Sequence, residues 1–170
     1  MSVHTWYLIS VWLHIVAAAA WVGGMLFLGL VLIPIALREK YRALAPTLLH
    51  ELALRFRSFG WLTLAILILT GVANLRLRGF TWGMLATAGF WASGFGAILK
   101  IKLILVAVLL VLGALHDFWI GPRTTTLWQS HPQAPQLARL RRLSSWMGRI
   151  NLLLSLAIVA LAVILVRGAG

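Results

Sequence analysis

The chain has no cysteine and only three carboxylate side chains among its 170 residues. The missing cysteine excludes disulfides, iron–sulfur clusters and thiolate metal sites. Three carboxylates leave little material for paired-acid catalysis, and no hydrolase or transferase constellation is visible in the sequence. A metal ion would therefore have to bind histidine, methionine, a carboxylate or the backbone.

Apolar residues dominate instead, at 62% of the sequence, against about 45–50% in soluble domains. Four runs reach the length of about 20 residues that a helix needs to cross a hydrocarbon core. Helices also satisfy their own backbone hydrogen bonds in lipid. The sequence therefore predicts an all-α integral membrane protein, a four-helix up-and-down bundle forming one domain over residues 1–170. The helices are expected at about 6–37, 46–78, 97–120 and 143–167, with a long first helix and an aromatic outer loop.

Positive charge is abundant, with a net charge of +12, and it is concentrated on one side of the predicted membrane spans. Because cytoplasmic loops are enriched in Lys and Arg, both termini are expected outside a bacterial inner membrane. Basic residues at membrane ends commonly contact anionic lipid headgroups, so we expect lipid and not nucleic acid as their partner. The basic inner set is Arg38, Lys40, Arg42, Arg55, Arg57, Arg123, Arg139, Arg141, Arg142 and Arg149, and the outer set is Arg76, Arg78, Lys100, Lys102 and Arg167.

The most unusual polar residue is His14, within the apolar stretch "WLHIVAAAAWVGG" at 12–24. A helical rise of 1.5 Å per residue places it about 13 Å below the outer surface. Ionisable side chains at such depth are rare and usually functional. The helical period puts Trp21 on the same stripe, and the neighbouring Ala and Gly residues leave space for a close helix or a flat ligand. A role as ligand or proton carrier competes with a structural hydrogen bond to Thr70.

Other candidates lie at two depths. Thr70 and Lys102 reach the level of His14, and Lys100 lies nearer the outer surface, where lysines also serve as ordinary anchors. His116, a further candidate metal ligand, lies at about 27 Å, beside Asp117, which we expect to pair with an arginine. The two histidines are therefore too far apart to bind one ion.

Two outer residues complete the candidate metal ligands. If Met1 were removed, a free amine with His4 in third place could chelate Cu(II), which prefers tetragonal nitrogen geometry. Met84, in the outer loop, could offer a thioether to Cu(I).

Three stretches carry a family resemblance: "WLHIVAAAAWVGGMLFLGLVLIPIAL" at 12–37, "RFRSFGWLTLAILILTGVANL" at 55–75 and "LKIKLILVAVLLVLGALHDFWIGPR" at 99–123. The order His, Trp, Gly-Gly and Pro in the first, Arg-Phe and Thr-Gly in the second, and Lys in the third resembles the copper resistance protein D (CopD-like) membrane family. The resemblance implies an inner-membrane protein of copper uptake or tolerance. Copper would be held by His14 with a partner such as Met84 or His4.

His14 and Lys102 also resemble positions of the four-helix HemJ-type protoporphyrinogen oxidases, which bind haem b. That resemblance implies His14 as an axial ligand and a functionally required Lys102. Trp21, Thr70 and Lys100 are the further candidate contacts of such a cofactor, and lysine or arginine would neutralise its propionates. An enzyme is expected only in this second interpretation, as a membrane oxidoreductase that exchanges electrons with quinone. A homodimer is kept as a further candidate partner.

Overall fold

The computed structural model describes residues 2–41 and 43–168, and in this part of the chain all regular structure is helical. Met1, Arg42, Ala169 and Gly170 lie outside the described residues, although the predicted domain, the basic inner set and the copper-chelating terminus include some of them. Four continuous helical segments, here called rods, are long and apolar enough to cross a membrane, which confirms the predicted fold class. They are Val3–Ala36, Ala45–Leu77, Gly94–Ser130 and Pro135–Arg167. The elements are α1 (Val3–Phe27), a π-helical turn (Leu28–Leu32), α2 (Ile33–Ala36), a 3-10 turn (Glu39–Tyr41), α3 (Ala45–Leu77), α4 (Trp82–Leu85), α5 (Ala88–Ala92), α6 (Gly94–Leu115), a second π-helical turn (His116–Ile120), α7 (Gly121–Ser130) and α8 (Pro135–Arg167).

The third and fourth rods are longer than the sequence pattern predicts. The third continues through α7 to Ser130, beyond the expected end near 120, and the fourth begins at Pro135, before the expected start near 143. Proline suits the first turn of a helix because its missing N–H needs no partner there. Pro135 starts α8 in this way, and Pro46 likewise lies in the first turn of α3.

Both π-helical turns come just before a proline. Pro34 and Pro122 each lie at the start of the helix that follows the turn. Inside an α-helix, proline removes one hydrogen bond and its ring collides with the carbonyl four residues earlier. The wider turn avoids this collision, since the N–H groups of Ile33 and Gly121 bond five residues back to Leu28 and His116. The rods thus continue past both prolines.

The bundle is organised around two close helix pairs, α1 with α3 and α6 with α8, and α1 also contacts α8. Its core is formed by Trp21, Leu64 and Leu109. The indole of Trp21 lies over Gly60, where a Cβ atom would come within 2.7 Å of the ring. Small residues let membrane helices approach closely, and Gly60 does so here.

The small-residue face of α1 is largely used for packing. Ala17 is buried, and a Cβ atom on Gly24 would lie 2.9 Å from the ring of Phe56. Gly23 alone of these has open space beside it. Of the two predicted uses of this face, the structure therefore supports a close helix at Ala17 and Gly24.

The outer loop is partly helical, as expected, through α4 and α5. Phe80 stacks on Phe95 with ring centroids 4.9 Å apart and meets Phe90 edge-on at 5.6 Å. The Trp91 indole donates a hydrogen bond to the Leu85 carbonyl at 2.8 Å. These contacts give the loop a small aromatic core of its own.

Candidate functional site

His14 of α1 and Thr70 of α3 meet in the outer half of the bundle. The imidazole Nδ1 lies 2.7 Å from the Thr70 hydroxyl oxygen. The two residues approach from opposite directions along antiparallel helices, so equal depth in the membrane is enough to bring them together. The predicted proximity of these two residues is confirmed, and the contact is the hydrogen bond to Thr70 that competes with a role of His14 as ligand or proton carrier.

The threonine hydroxyl determines which nitrogen of His14 carries the proton. A hydroxyl has one proton to donate, and the Thr70 hydroxyl donates it within its own helix to the Ile66 carbonyl at 2.6 Å. Its oxygen must therefore accept from the imidazole, which places the proton of neutral His14 on Nδ1. The lone pair is then on Nε2, for which no hydrogen-bond partner is found among the described residues.

The surroundings hold this arrangement in place. Ser10, one turn earlier on α1, is buried and donates to the backbone carbonyl of Thr70 at 3.4 Å. The imidazole edge also lies against Gly71, where a Cβ atom would be 3.5 Å from Cε1. Fixing one ring nitrogen by a second residue is how proteins orient histidine ligands towards metals.

The two candidate lysines differ in exposure. Lys102 is half-buried on α6, whereas Lys100 is exposed. The structure thus brings His14 and Thr70 together from two helices and leaves Lys100 at the surface.

Trp21 lies deeper than this group, in the core of the bundle. Its indole N–H is donated to the Ser155 hydroxyl at 2.9 Å, and that hydroxyl in turn donates to the Asn151 carbonyl at 2.8 Å. The ring also stacks on Phe56 with centroids 6.1 Å apart. Trp21 therefore connects α1 with α3 and α8, and its indole N–H already has a hydrogen-bond acceptor.

The outer metal candidates are separate from His14. His4 is exposed and lines a surface depression with Tyr7 and Arg78, and Met84 is 45% exposed on the outer loop. Within residues 2–41 and 43–168, no group of three or more His, Asp or Glu side chains is placed to share a metal ion. His14 thus belongs to no such group among the described residues.

At the other end of the bundle, His116 has both ring nitrogens engaged. Nδ1 lies 2.9 Å from a carboxylate oxygen of Asp117, and Nε2 lies 3.0 Å from the Ser144 hydroxyl. The other carboxylate oxygen accepts from the Trp61 indole at 3.1 Å. The expectation that Asp117 pairs with an arginine is corrected, because Arg57 bonds only to its backbone carbonyl, at 3.3 Å.

Sequence reasoning missed Ser144 and Trp61 as members of this inner group. Both lie on helical stretches without a motif, and only the distance between α3, α6 and α8 could reveal them. His50, on α3, is half-buried, and its Nδ1 lies 3.2 Å from the Thr125 hydroxyl. His50 therefore lies apart from the His116 group.

Arginines of the basic inner set lie over aromatic rings beside the same end of the bundle. Arg141 is 4.1 Å from the Trp128 ring centroid, and the pairs Arg123–Trp119 and Arg149–Trp146 are at 5.0 and 5.3 Å. Such contacts hold guanidinium groups at a surface where aromatic rings reach the lipid interface. This end of the molecule is therefore both aromatic and positively charged.

Comparison with known proteins places the chain in a family. The family model described as copper resistance protein D matches residues 50–165. An uncharacterized protein from Aquifex aeolicus (strain VF5) is 33% identical over 152 residues, covering 89% of this chain and 89% of the relative. No solved structure matches significantly. The chain, with its four membrane-spanning helices and its intramembrane histidine, belongs to the copper resistance protein D family.

Proposed function

We propose that this protein handles copper in the bacterial inner membrane and that His14 Nε2 is its metal ligand within the bundle. The observation that carries the proposal is the hydrogen bond between His14 Nδ1 and the Thr70 hydroxyl, which leaves Nε2 without a hydrogen-bond partner among the described residues. Family membership supplies the connection to copper. The ion is cargo in this account, bound and passed on at a site of few ligands.

The donor chemistry favours Cu(I) as the form that is bound. Cu(II) prefers a tetragonal set of nitrogen and oxygen ligands, and the described residues supply one imidazole at this depth. Cu(I) accepts imidazole and thioether ligands in smaller numbers. Met84 and His4, both on the outer side, would then serve as earlier contacts on the way to His14.

Haem b is the second candidate, and Lys102 is the observation that favours it. A half-buried ammonium group on α6 would repel a bare cation but would neutralise a propionate. A single axial imidazole is also an accepted haem ligation, and His14 is oriented for it by Thr70. When bound, haem would supply one-electron chemistry, for which a quinone is the natural membrane partner.

The orientation with both termini outside is part of the proposal. It is supported by the basic inner set, whose arginines lie on the Trp119 and Trp146 side of the bundle. Anionic headgroups of the inner leaflet attract such residues by about 1 kcal/mol each. In this orientation His14 is reached from the outer side, where copper enters.

Competitive titration of the purified full-length protein with Cu(I) and a chromophoric chelator tests the proposal. The wild type is expected to take up copper from the chelator, and His14→Ala to lose that uptake. His131→Ala is the matched control, because His131 is exposed and bonds only to its neighbour Ser130. Equal copper affinity of the wild type and His14→Ala would refute copper binding at this residue. A Soret band in the same preparation, absent from His14→Ala, would select the haem candidate.

A further inference from the structure

At the inner end of the bundle, hydrogen bonds link the side chains of a serine, a histidine and an aspartate in that spatial order, with the histidine in the middle. Enzymes with a serine nucleophile use the same arrangement. We propose that Ser144 is an activated nucleophile that cleaves acyl esters of membrane amphiphiles, with His116 as general base and Asp117 as the group that orients it. This inference is independent of the metal proposed at His14.

The protonation of His116 follows from its neighbours. Asp117 accepts at both oxygens, from Nδ1 of His116 at 2.9 Å and from the Trp61 indole at 3.1 Å. Since an ionised carboxylate is an acceptor only, the proton lies on Nδ1. Nε2 then faces Ser144 as an acceptor. In the Ser-His-Asp arrangement the aspartate performs this same function of fixing tautomer and orientation.

The Ser144 hydroxyl is free to donate to that nitrogen. Hydroxyls within helices commonly donate back to a carbonyl of the preceding turn, and this chain does so repeatedly. The back-donating residues are Ser58, Thr63, Thr70, Thr124, Thr125, Ser130 and Ser155. Ser144 has no such bond among the described residues, and its hydroxyl oxygen lies 3.0 Å from Nε2. This distance is within the reach expected of a nucleophile and its base.

The π-helical turn explains how adjacent residues cooperate. Neighbours in sequence do not face each other in an α-helix, yet the ring of His116 meets the carboxylate of Asp117. Both residues lie in the π-helical turn that precedes Pro122. Such turns occur frequently at functional sites.

The location determines the substrate class. The side chains of His116 and Asp117 are 30% and 24% exposed, so a ligand can reach them. Phe118 follows Asp117 directly, and Trp146 lies two residues after Ser144. The two rings are 60% and 51% exposed, and in a membrane such rings contact lipid. Arg57 adds positive charge to the same cluster through its bond to the Asp117 carbonyl. An ester with an acyl chain and an anionic head therefore fits this surface.

The reaction uses water as its only co-reactant. Ser144 Oγ forms a bond to the ester carbonyl carbon while its proton moves to His116 Nε2. The bond from that carbon to the alcohol oxygen breaks, and the alcohol leaves with the proton from Nε2. Water then attacks the carbonyl carbon of the acyl-serine and gives a proton to Nε2. The bond from that carbon to Ser144 Oγ breaks, Oγ takes the proton back from Nε2, and the fatty acid leaves.

A fluorophosphonate probe tests this on the detergent-solubilised full-length protein. Ser144 Oγ would displace fluoride from phosphorus, and mass spectrometry would locate the adduct on Ser144 in the wild type. Ser144→Ala and His116→Gln are expected to lose labelling at least tenfold, whereas Ser145→Ala, the exposed neighbour, should label as the wild type does. Hydrolysis of p-nitrophenyl butyrate should follow the same order.

The wild-type adduct map decides the matter even if a variant fails to fold. An adduct found on Ser144 supports the proposal. No adduct on Ser144 after prolonged exposure, or equal labelling of Ser144→Ala, would overturn it, and His116 would then be an internally satisfied structural histidine.

Discussion

Replacing Thr70 with valine removes the hydroxyl that orients His14 while keeping the shape of the side chain. In the wild type the oxygen accepts from Nδ1 at 2.7 Å and donates to Ile66 at 2.6 Å. Valine leaves the Nδ1–H without an acceptor, a loss of about 1–3 kcal/mol for a buried donor. Without that acceptor the ring is no longer held in one orientation or one tautomer, so the Nε2 lone pair is no longer fixed towards a metal.

The expected consequence is a metal affinity 10–100-fold weaker, the range typical of lost second-shell partners, or about 1.4–2.7 kcal/mol. Competitive Cu(I) titration measures it, or haem retention on gel filtration if the preparation is red. Thr70→Ser should bind as the wild type does. Thr63→Val is the matched control, since Thr63 is also buried on α3 and bonds only to Phe59, at 2.8 Å. Unchanged affinity in Thr70→Val would refute the reasoning about the tautomer.

Two further predictions concern packing and orientation. Gly60→Ala should lower the free energy of unfolding by about 1–3 kcal/mol in a chemical denaturation assay, because its Cβ would meet the Trp21 ring at 2.7 Å, whereas Gly23→Ala, which meets nothing within 4 Å, should not; equal stability of the two variants would contradict the packing argument. Because the chain has no cysteine, single cysteines report orientation. With an impermeant maleimide on spheroplasts, Ala86→Cys should label at once and Gln133→Cys only after permeabilisation, and the reverse pattern would overturn the outside placement of the termini.

The sequence predicted the outer site because depth in a membrane follows from residue count. The rise of about 1.5 Å per residue places His14 and Thr70 at equal depth, which made their contact possible, although it does not specify how the two helices are rotated. The identity of the free nitrogen could not be predicted, since it depends on the Thr70 rotamer and its bond to Ile66. Trp21 was expected to contact the cofactor at His14. Its ring instead packs in the core, because Gly60 has no side chain and leaves space for it.

The contact between His116 and Ser144 could not be predicted from the sequence, for a different reason. Hydrophobic periodicity assumes regular α-helices, and the turn that carries His116 is a π-helix. Ser144 lies on a segment of α8 that begins earlier than its composition suggests, at Pro135. The contact between them depends on the relative rotation of two helices, which apolar patterns do not specify.

The central claim is that His14 Nε2 holds a metal centre inside the bundle. Elemental analysis and an absorption spectrum on one preparation, for the wild type and for His14→Ala, test it most directly. The account predicts copper or a Soret band in the wild type and neither in the variant, with both proteins still folded by gel filtration. Equal metal and haem content in the two proteins, or none in a wild type expressed with both supplied, would contradict it.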